Sequence, residues 1–340
     1  MIDSTQHTIS REVRLAARPH GPLGDEHFEI VERPVPEPEH GQVLVRNKVM
    51  GIAAVMRTLM DESSDVPMRP YEIGQTLTGP AIGEVIAAPG TDFTPGELVE
   101  HDLGWREYAV VDPAHVHRRD HTLFADPGAY LSQGATAWMG MTLGAEVRPG
   151  DTVFVSGAAG GVGSLAGQIA RLRGATRVIG STGSRAKADH LIQELGYDAA
   201  VIRGEGSIEE QLRQAAPDGI DAAFDNVGGE QLQAALAVAR PGARFALIGA
   251  LSGQLSATGG TRTTAVIDSM SLITSGITLR GLALYDHLEL IPQWNEVFAR
   301  GLRESTLTFP HFRVHGIEKA PGALAELLTG RHIGAVLVEF

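Results

Sequence analysis

Apolar runs and helix-like periods alternate along the chain from about Pro127 onward. Each run is short and rich in small and β-branched residues, as expected of a strand buried on both faces of a sheet. The runs cover residues 152–157, 177–182, 199–203, 221–227, 244–250 and 277–284. Amphipathic stretches lie between most of them, for example at 185–196 and 207–216. Because parallel strands need crossover connections, this alternation predicts a parallel sheet in an α/β domain.

The region before Pro127 has a different pattern, with frequent Pro and Gly and short apolar alternations. Strands are predicted there between turn sequences such as PEPEHG and APGTDFTPGE, at 43–55, 81–88 and 106–111. This part is therefore predicted to be an irregular, mostly antiparallel β domain. A helix at 321–330 and a strand at 335–340 are predicted for the tail. A length of 340 residues suits two domains.

Composition and charge remove several classes of partner. The formal net charge is −13 and no block of Lys and Arg is present, whereas a duplex-binding protein needs a basic face. The absence of cysteine excludes disulfides and thiolate-ligated zinc or iron–sulfur sites. The polar start, MIDSTQHTISREV, lacks the apolar core of a signal peptide, and no run of eighteen apolar residues is present. We therefore expect a cytoplasmic protein with no nucleic-acid and no membrane partner.

The stretch VSGAAGGVGSLAGQIARLRG, residues 155–174, is the strongest candidate for chemistry. It joins a predicted strand to a helix, and amide groups at such a helix start can bind an anion. Gly157, Gly160 and Gly163 can supply the tight turn, the close approach to a pyrophosphate and the close helix–strand contact of a dinucleotide site. Their spacing is G-x-x-G-x-x-G rather than G-x-G-x-x-G, and the stretch is no Walker loop. A turn that merely packs small residues is the alternative, but the strand–turn–helix context favours phosphate binding.

The next strand–helix turn bears on which nucleotide is bound. An NAD enzyme has an acidic residue about twenty positions beyond the glycines, where it binds the ribose hydroxyls. Here the strand ends in STGS, residues 181–184, followed by Arg185 and Lys187, with no acid. Hydroxyl groups and cations would bind a 2′-phosphate that a carboxylate would repel. The two cations could instead form a solvated first turn, but they would then oppose the helix dipole. The turn therefore favours NADPH.

Several motifs together resemble one protein family. They are GATAWMGM (134–141), the segment 147–175 around the glycine stretch, GSRAKADHL (183–191), LGYDAA (195–200), DGIDAAFDNVGGE (218–230) and LIGALSG (247–253). The chain resembles the medium-chain dehydrogenase/reductase superfamily, and within it the zinc-independent NADPH-dependent double-bond reductases of the prostaglandin reductase and alkenal/one oxidoreductase group. The resemblance implies a GroES-like, mostly β catalytic domain at 1–126 and 289–340. It places a Rossmann domain with a doubly wound parallel sheet at 127–288.

The resemblance also implies NADP(H) as the cofactor and assigns its contacts. The pyrophosphate would be held by Gly160, Gly161, Val162 and Gly163, and the 2′-phosphate by Ser184 and Lys187. The contacts along the ribose and nicotinamide would be Asn226, Ile248, Gly249, Ala250, Leu251, Ser252, Leu282 and Leu284.

The chain departs from the family pattern near both ends of this cofactor. Arg203 stands where a tyrosine is usual and could serve the 2′-phosphate as a second cation. His332, in GRHIG, replaces an asparagine, and its ring N–H could substitute for the amide donor. The run AAVMR at 53–57 lacks the usual pocket tyrosine, and the position of a second pocket tyrosine falls near Thr274. The substrate side therefore follows the family less closely than the cofactor side.

A catalytic metal is not expected. Zinc-dependent relatives have Gly-His-Glu where this chain has Gly79, Pro80 and Ala81, and they use cysteine ligands that this chain lacks. A cluster of His115, His117 and His121 is conceivable as a metal site, but HRRDH is better explained as a solvated loop.

These features predict hydride transfer from NADPH to the β-carbon of an α,β-unsaturated carbonyl compound. Without a metal, hydrogen-bond donors must stabilise the developing enolate, and Tyr285 is the named candidate for the catalytic donor. The pocket for this small apolar substrate would be lined by Val55, Met56, Trp105 and Trp138. Two alternatives stay open: quinone reduction by the same hydride, and a catalytically silent NADPH-binding protein. Because relatives pair through the strand that corresponds to 277–284, the resemblance also implies a homodimer.

Overall fold

Two large β-sheets and one two-stranded ribbon form the framework of the chain, as seen in a computed structural model that describes residues 8–62, 66–254 and 262–340. In chain order, the strands are β1 Ile9–Leu15, β2 Phe28–Pro34, β3 Val43–Ile52, β4 Ala81–Ala87, β5 Leu98–His101, β6 Tyr108–Val111, β7 His117–Arg118, β8 Thr152–Val155, β9 Arg177–Thr182, β10 Ala199–Ile202, β11 Ile220–Asp225, β12 Ala239–Leu247, β13 Thr278–Gly281, β14 His311–His315 and β15 Ala335–Glu339. The helices are α1 Val55–Thr58, α2 Gly134–Met139, α3 Gly163–Leu172, α4 Arg185–Glu194, α5 Ile208–Ala215, α6 Gly229–Ala237, α7 Leu251–Gln254, α8 Ser269–Ser275, α9 Leu290–Arg303 and α10 Ala320–Leu328.

The parallel sheet has the strand order β10-β9-β8-β11-β12-β13. Every pairing within it is parallel. The first of these strands in the chain, β8, therefore lies in the middle, and the direction of winding reverses between β8 and β11. Ligands of such sheets bind outside the carboxyl ends of the strands at this point. The predicted Rossmann doubly wound parallel sheet is confirmed.

Burial and capping explain why these segments become central strands and packed helices. Val153, Phe154 and Val155 of β8 are all buried, as in a strand covered on both faces. Helix α4 is capped by the preceding Ser184, whose Oγ accepts a hydrogen bond from the amide N of Lys187. The cap therefore satisfies a donor that a helix start leaves unpaired. Within the described ranges, no helix is long and apolar enough to cross a bilayer.

Helix α9 follows the predicted domain boundary at residue 289, yet it packs against the parallel sheet. The rings of Trp294 and Phe298 stack with centroids 4.8 Å apart. Both belong to the apolar cluster that contains Val153 and Leu165. The indole N–H of Trp294 also donates to Ser132 Oγ at 3.2 Å. The division of the chain at 289 stays a prediction, and the packing groups α9 with the parallel sheet.

The second large sheet has the strand order β14-β15-β3-β4-β5-β7, with β6 also paired to β3. Its pairings are antiparallel except for that of β14 with β15. Since β15 pairs with β3, the end of the chain returns to the sheet built by its first part. The predicted mostly β domain is confirmed. Its core includes Met50, Ile52, Trp105, Val336 and Val338.

The sequence pattern does not predict five of the strands, namely β1, β2, β5, β7 and β14. Strands β1 (ISREVRL) and β14 (HFRVH) alternate apolar with charged residues and are only partly buried, so their apolar content is low. Several predicted strands also run past their observed ends. The strand predicted at 43–55 ends at Ile52, before α1 begins, and the one predicted at 277–284 ends at Gly281. His117, assigned to a loop, lies in the short exposed strand β7.

Candidate active site

The glycine-rich turn joins β8 to α3 at the point where the winding of the parallel sheet reverses. Gly157 has a φ of +61°, a left-handed conformation that favours glycine. A Cβ on Gly163 would lie 2.7 Å from Cα of Ala158, so glycine is required for α3 to start this close to the turn. Gly160 is exposed. Among the described residues, no acceptor is bonded to two amide N–H groups at this helix start, those of Val162 and Gly163. These groups can therefore receive an anion.

A buried hydrogen-bond network fixes the ends of β8 and β11. The hydroxyl of Ser156 donates to Oδ1 of Asp225 at 2.5 Å and accepts from the amide N of Asn226 at 2.8 Å. Oδ2 of Asp225 accepts from the amide N of Gly228 at 2.9 Å. Burial raises the pKa of Asp225, and the hydrogen bonds that its carboxylate accepts lower it part of the way back. The network holds Asn226 at the strand end, where its Nδ2 donates to the backbone O of Ser156 at 3.0 Å.

The loop after β12 is bound to the same strand end. The amide N of Ile248 donates to the backbone O of Asp225 at 2.8 Å, and that of Leu251 donates to the backbone O of Asn226 at 3.0 Å. Oγ of Ser252 donates to the backbone O of Val227 at 2.6 Å. The structure thus gathers one contiguous group of predicted contacts along the carboxyl ends of the strands: Asn226, Ile248, Gly249, Ala250, Leu251 and Ser252.

Helix α2 is followed by a π-helical turn, Gly140–Gly144, that packs against this loop. Cβ atoms placed on Gly140 and Gly144 would lie 3.0 Å from Cδ1 of Ile248 and 3.0 Å from Cδ1 of Leu282, respectively. Trp138 is half-buried and lies 6.4 Å from Trp294, centroid to centroid. The GATAWMGM segment therefore places Trp138 directly before the turn Gly140–Gly144, which packs against Ile248 and Leu282, two of the predicted nicotinamide contacts.

Cations and a hydroxyl lie at the carboxyl ends of β9 and β10. The guanidinium of Arg203 is exposed and lies beside Gly183. Ser184 Oγ accepts from the amide N of Lys187 at 3.4 Å, so its hydroxyl proton remains available to donate to a phosphate. Arg185 pairs with Glu205 instead of facing an anion. Lys187 is half-buried, and burial lowers the pKa of its ammonium.

His332 lies in the loop between α10 and β15. Its ring stacks on Phe312 at 3.8 Å between centroids, and its Nε2 lies 2.8 Å from Oε2 of Glu326. The same loop touches the glycine-rich turn, because the amide N of Gly334 donates to the backbone O of Ala159 at 2.9 Å. The structure thus brings the loop to the glycine-rich turn, but the ring nitrogen Nε2 of His332 is within hydrogen-bond distance of Glu326.

The predicted substrate residues are placed less uniformly. Helix α1, which carries Val55 and Met56, lies against α7 at the far end of the loop after β12. Trp105 is 0% exposed and packs on Phe28 in the core of the mostly β sheet, so its ring is a core group. Tyr285 is 59% exposed, in a short 3-10 helix, Leu284–Asp286, that lies against α2.

The described residues contain no group of three His, Asp or Glu side chains that could hold a metal ion. Pro80 and Ala81, at the position of the zinc-ligand motif of relatives, offer no ligand side chain. The histidine of the exposed strand β7 and its neighbours form no such group within those residues.

Four polar residues organise the site without a contact having been assigned to them by name from the sequence, although Ser181 belongs to the STGS stretch whose hydroxyls were expected at the 2′-phosphate. Ser156 and Asp225 form the network described above. Ser181 accepts from the amide N of Gly157 at 2.9 Å and donates to Gln231. All four are buried, and each lies at or just beyond a strand end in the first turn of a strand–helix unit, apart from Gln231 in α6. The available signal in the sequence was a polar residue at the carboxyl end of an apolar run, and DNVGGE contains one such residue, Asp225.

Two family models match the chain. One, described as the N-terminal domain of oxidoreductase, matches residues 11–118. The other, described as zinc-binding dehydrogenase, matches residues 161–301, although this chain has no cysteine.

The chain is also similar to characterised and structurally solved proteins. It is 32% identical to the putative NADP-dependent oxidoreductase YfmJ of Bacillus subtilis, over 97% of each chain. It is 33% identical to the 2-alkenal reductase (NADP(+)-dependent) of Nicotiana tabacum, over 89% of this chain and 88% of the other. The crystal structure of CurA in complex with NADPH from Vibrio vulnificus superimposes with a TM-score of 0.87 at 29% identity, over 97% of this chain and 98% of the other. Sequence similarity and fold therefore agree, and the chain belongs to the medium-chain dehydrogenase/reductase superfamily, in its zinc-independent group of NADPH-dependent double-bond reductases.

Proposed function

We propose that this protein uses NADPH to reduce the C=C bond of an apolar α,β-unsaturated aldehyde or ketone. The coarser part of this function follows from the family: the protein is an NADP(H)-dependent oxidoreductase. The observation that carries the finer part is the chemical asymmetry of the site. Amide donors and cations lie at one end, at the turn after β8 and the ends of β9 and β10. Apolar side chains such as Ile248 and Leu282 lie at the other end.

The residues present fit a dinucleotide with a 2′-phosphate. We assign the pyrophosphate to the turn Gly160–Gly163 and the 2′-phosphate to Ser184, Lys187 and Arg203. Strand β9 ends in Ser181 and Thr182. No carboxylate that would bind a free ribose 2′-hydroxyl lies at this strand end. Arg203 in place of the usual tyrosine adds a second cation that can pair with phosphate oxygens.

At the reacting end, the cofactor supplies a hydride when it is bound. The half-buried side chains of Val55, Trp138 and Leu282 exclude water from the acceptor carbon. Tyr285 is the candidate donor to the carbonyl oxygen or the α-carbon, since its ring is exposed on the element next to α2 and its hydroxyl bonds to no residue in the described part of the chain. We assign no substrate contact to Trp105, because its ring is enclosed in the core.

We also propose that two copies pair through β13. This strand is the last in the parallel sheet and bonds to β12 on one side within the described residues. The neighbouring helix α8 exposes Met270 at 63% and Ile273 at 72%. An unpaired strand edge flanked by apolar side chains favours association with another strand.

Turnover of a substrate panel tests the function. Purified protein would be mixed with NADPH and, separately, with alkenals, cyclic enones and quinones, and NADPH oxidation would be followed. We expect turnover of alkenals or enones, with NADH at least tenfold less effective (about 1.4 kcal/mol). Tyr285→Phe should lower kcat about a hundredfold, as for loss of a general acid. Tyr108→Phe, in the other sheet, is the matched control.

Each other result has a definite meaning. Oxidation of NADPH by quinones alone would replace the proposal with quinone reduction. Tight NADPH binding without turnover of any compound would indicate a silent binding protein. Unchanged turnover by Tyr285→Phe on every accepted substrate would remove this residue from the mechanism.

A further inference from the structure

The ammonium group of Lys187 bonds to the backbone of a distant loop. Its Nζ donates to the carbonyl O of Gly330, and to that of His332 at 2.7 Å. Lys187 lies in the first turn of α4, on the parallel sheet, whereas residues 330–334 connect α10 to β15 of the other sheet. One side chain therefore ties the two sheets together at the proposed cofactor site.

The same loop lies on the glycine-rich turn. The amide N of Gly334 donates to the backbone O of Ala159 at 2.9 Å, and Gly334 forms a parallel bridge with Gly160. Gly334 has a φ of +77°, and a Cβ there would lie 2.8 Å from the backbone N of His311. The loop therefore has little room to move toward β14, and its position is coupled to that of the turn.

On its other side, the loop is held by its own domain. Both carboxylate oxygens of Glu326 are used, one by Arg331 at 2.5 Å and one by His332 at 2.8 Å. The ring of His332 also stacks on Phe312. These contacts shape the loop but do not connect it to α4, which Lys187 does.

We propose that Lys187 is a positioning residue that holds the loop 330–334 against the pyrophosphate turn, in addition to facing the 2′-phosphate. The second role rests on the proposed function, whereas the first is a property of the protein without cofactor. The two roles are compatible because an ammonium group has three N–H donors, and two carbonyls leave one for a phosphate oxygen.

Electrostatics supports this assignment. Half-burial makes the charge of Lys187 more costly, which is why its pKa is lowered. A cation in the first turn of a helix also opposes the helix dipole. Two carbonyl oxygens offset that cost by accepting charge-assisted hydrogen bonds. Arg203 makes a useful contrast, since it lies at the neighbouring strand end and faces Gly183 instead of the loop.

The two roles of Lys187 differ in their effect on the binding of NADPH and NADH. A residue that only binds the 2′-phosphate should matter for NADPH and not for NADH. A residue that also positions the loop should matter for both, because the loop and the turn touch each other under the pyrophosphate that both cofactors share.

Hydrogen exchange of the protein without cofactor tests the first role. In Lys187→Met, which keeps the apolar stem, the amide of Gly334 should exchange about tenfold faster than in the wild type, the size of one charge-assisted hydrogen bond. Lys187→Arg, whose guanidinium can donate to both carbonyls, should restore protection. Arg203→Met should leave exchange at Gly334 unchanged. Equal exchange in Lys187→Met and the wild type would overturn the proposal, whatever the enzyme's activity.

Equilibrium binding of NADPH and NADH tests the consequence. Lys187→Met should weaken the binding of both cofactors, and that of NADH by about threefold to tenfold (about 1 kcal/mol). Arg203→Met should weaken the binding of NADPH alone. If Lys187→Met weakens NADPH and leaves NADH unchanged, the residue is a phosphate ligand only and the positioning role is wrong. If the wild type binds neither cofactor, the proposed function fails, while the exchange experiment still decides the role of Lys187.

Discussion

At the scale of single residues, two buried titratable groups show how partners decide the cost of burial. Asp225 accepts hydrogen bonds from Ser156 and from backbone amides, which offset part of its desolvation. His101 is 2% exposed and has one partner, the amide N of Leu103, which donates to its Nδ1 at 3.0 Å. Its Nε2 has no partner among the described residues. Burial therefore lowers the pKa of His101 to about 4.

His101 should make stability fall in acid. Its ring is neutral in the fold, so the unfolded chain binds an additional proton below the ordinary value of 6.5, and stability is lost as pH falls from 6.5 toward 4. The shift corresponds to about 3 kcal/mol between pH 7 and pH 4. Urea denaturation across this range should show His101→Asn, which keeps an acceptor for Leu103, with a flatter dependence than the wild type.

The absolute stability of His101→Asn will be lower at neutral pH, because a smaller side chain leaves space in the core. The slope with pH is therefore the informative quantity. The exposed His20 offers a control, His20→Asn, for the loss of one histidine as such. Parallel slopes for the wild type and His101→Asn would show that the pKa of His101 is the same in the folded and the unfolded protein, and would contradict its lowering by burial.

At the scale of elements, the turn between β8 and α3 combines two neighbouring glycines with different surroundings. A Cβ on Gly160 would meet only the backbone O of Gly157, at 3.6 Å, which is ordinary contact. A Cβ on Gly161 would collide with the side-chain amide of Gln133 and lie 3.3 Å from Cα of Ala335. Gly160 thus faces open space, where we propose that the cofactor binds, and Gly161 faces the rest of the protein.

The pair Gly160→Ala and Gly161→Ala should separate binding from stability. Gly160→Ala should change the free energy of unfolding by less than about 0.5 kcal/mol yet weaken NADPH binding at least tenfold (about 1.4 kcal/mol). Gly161→Ala should destabilise the fold by about 1–3 kcal/mol through overpacking. Urea denaturation and fluorescence titration with NADPH measure the two effects. Normal NADPH affinity in Gly160→Ala would place the pyrophosphate elsewhere.

At the scale of the whole molecule, the proposed dimer depends on the edge of β13, which is unpaired on one side among the described residues, and on the apolar face of α8. An edge strand that stays unpaired is prone to pair with another chain. The fold supplies no cover for Met270 and Ile273 among the described residues. A second copy related by a two-fold axis would cover both edges at once.

Ile273→Asp combined with Met270→Asp should convert a dimer to a monomer, because two carboxylates would be buried without partners in the interface. Light scattering coupled to size exclusion measures the mass. Ile192→Asp, at another exposed apolar position, on α4, is the control and should leave the dimer intact. A wild type that elutes as a monomer, or a double variant that stays dimeric, contradicts pairing through this face.

The sequence anticipated the elements whose signal is local. Strand β9 at 177–182 matches its prediction, and the apolar runs near 152, 199, 221 and 244 all lie in strands of the parallel sheet. Strands β1 and β14 were not predicted, since three of the seven residues of β1 are charged and β14 has two histidines and an arginine among five residues. Both strands are stabilised by pairing, with β2 and β15 respectively. The sequence also did not distinguish a core position of Trp105 from a pocket position, because an aromatic residue gives the same sequence signal in both.

The sequence by itself determined the alternation of strands and helices, the glycine-rich turn between β8 and α3 and the cations that follow β9, because each depends on residues close together along the chain. Only the tertiary structure decided that β15 returns to β3, that Ser156 and Asp225 clamp two strand ends, and that Lys187 reaches the loop at 330–334. These contacts join residues far apart in sequence. Their energy depends on burial and mutual geometry, which no local pattern contains.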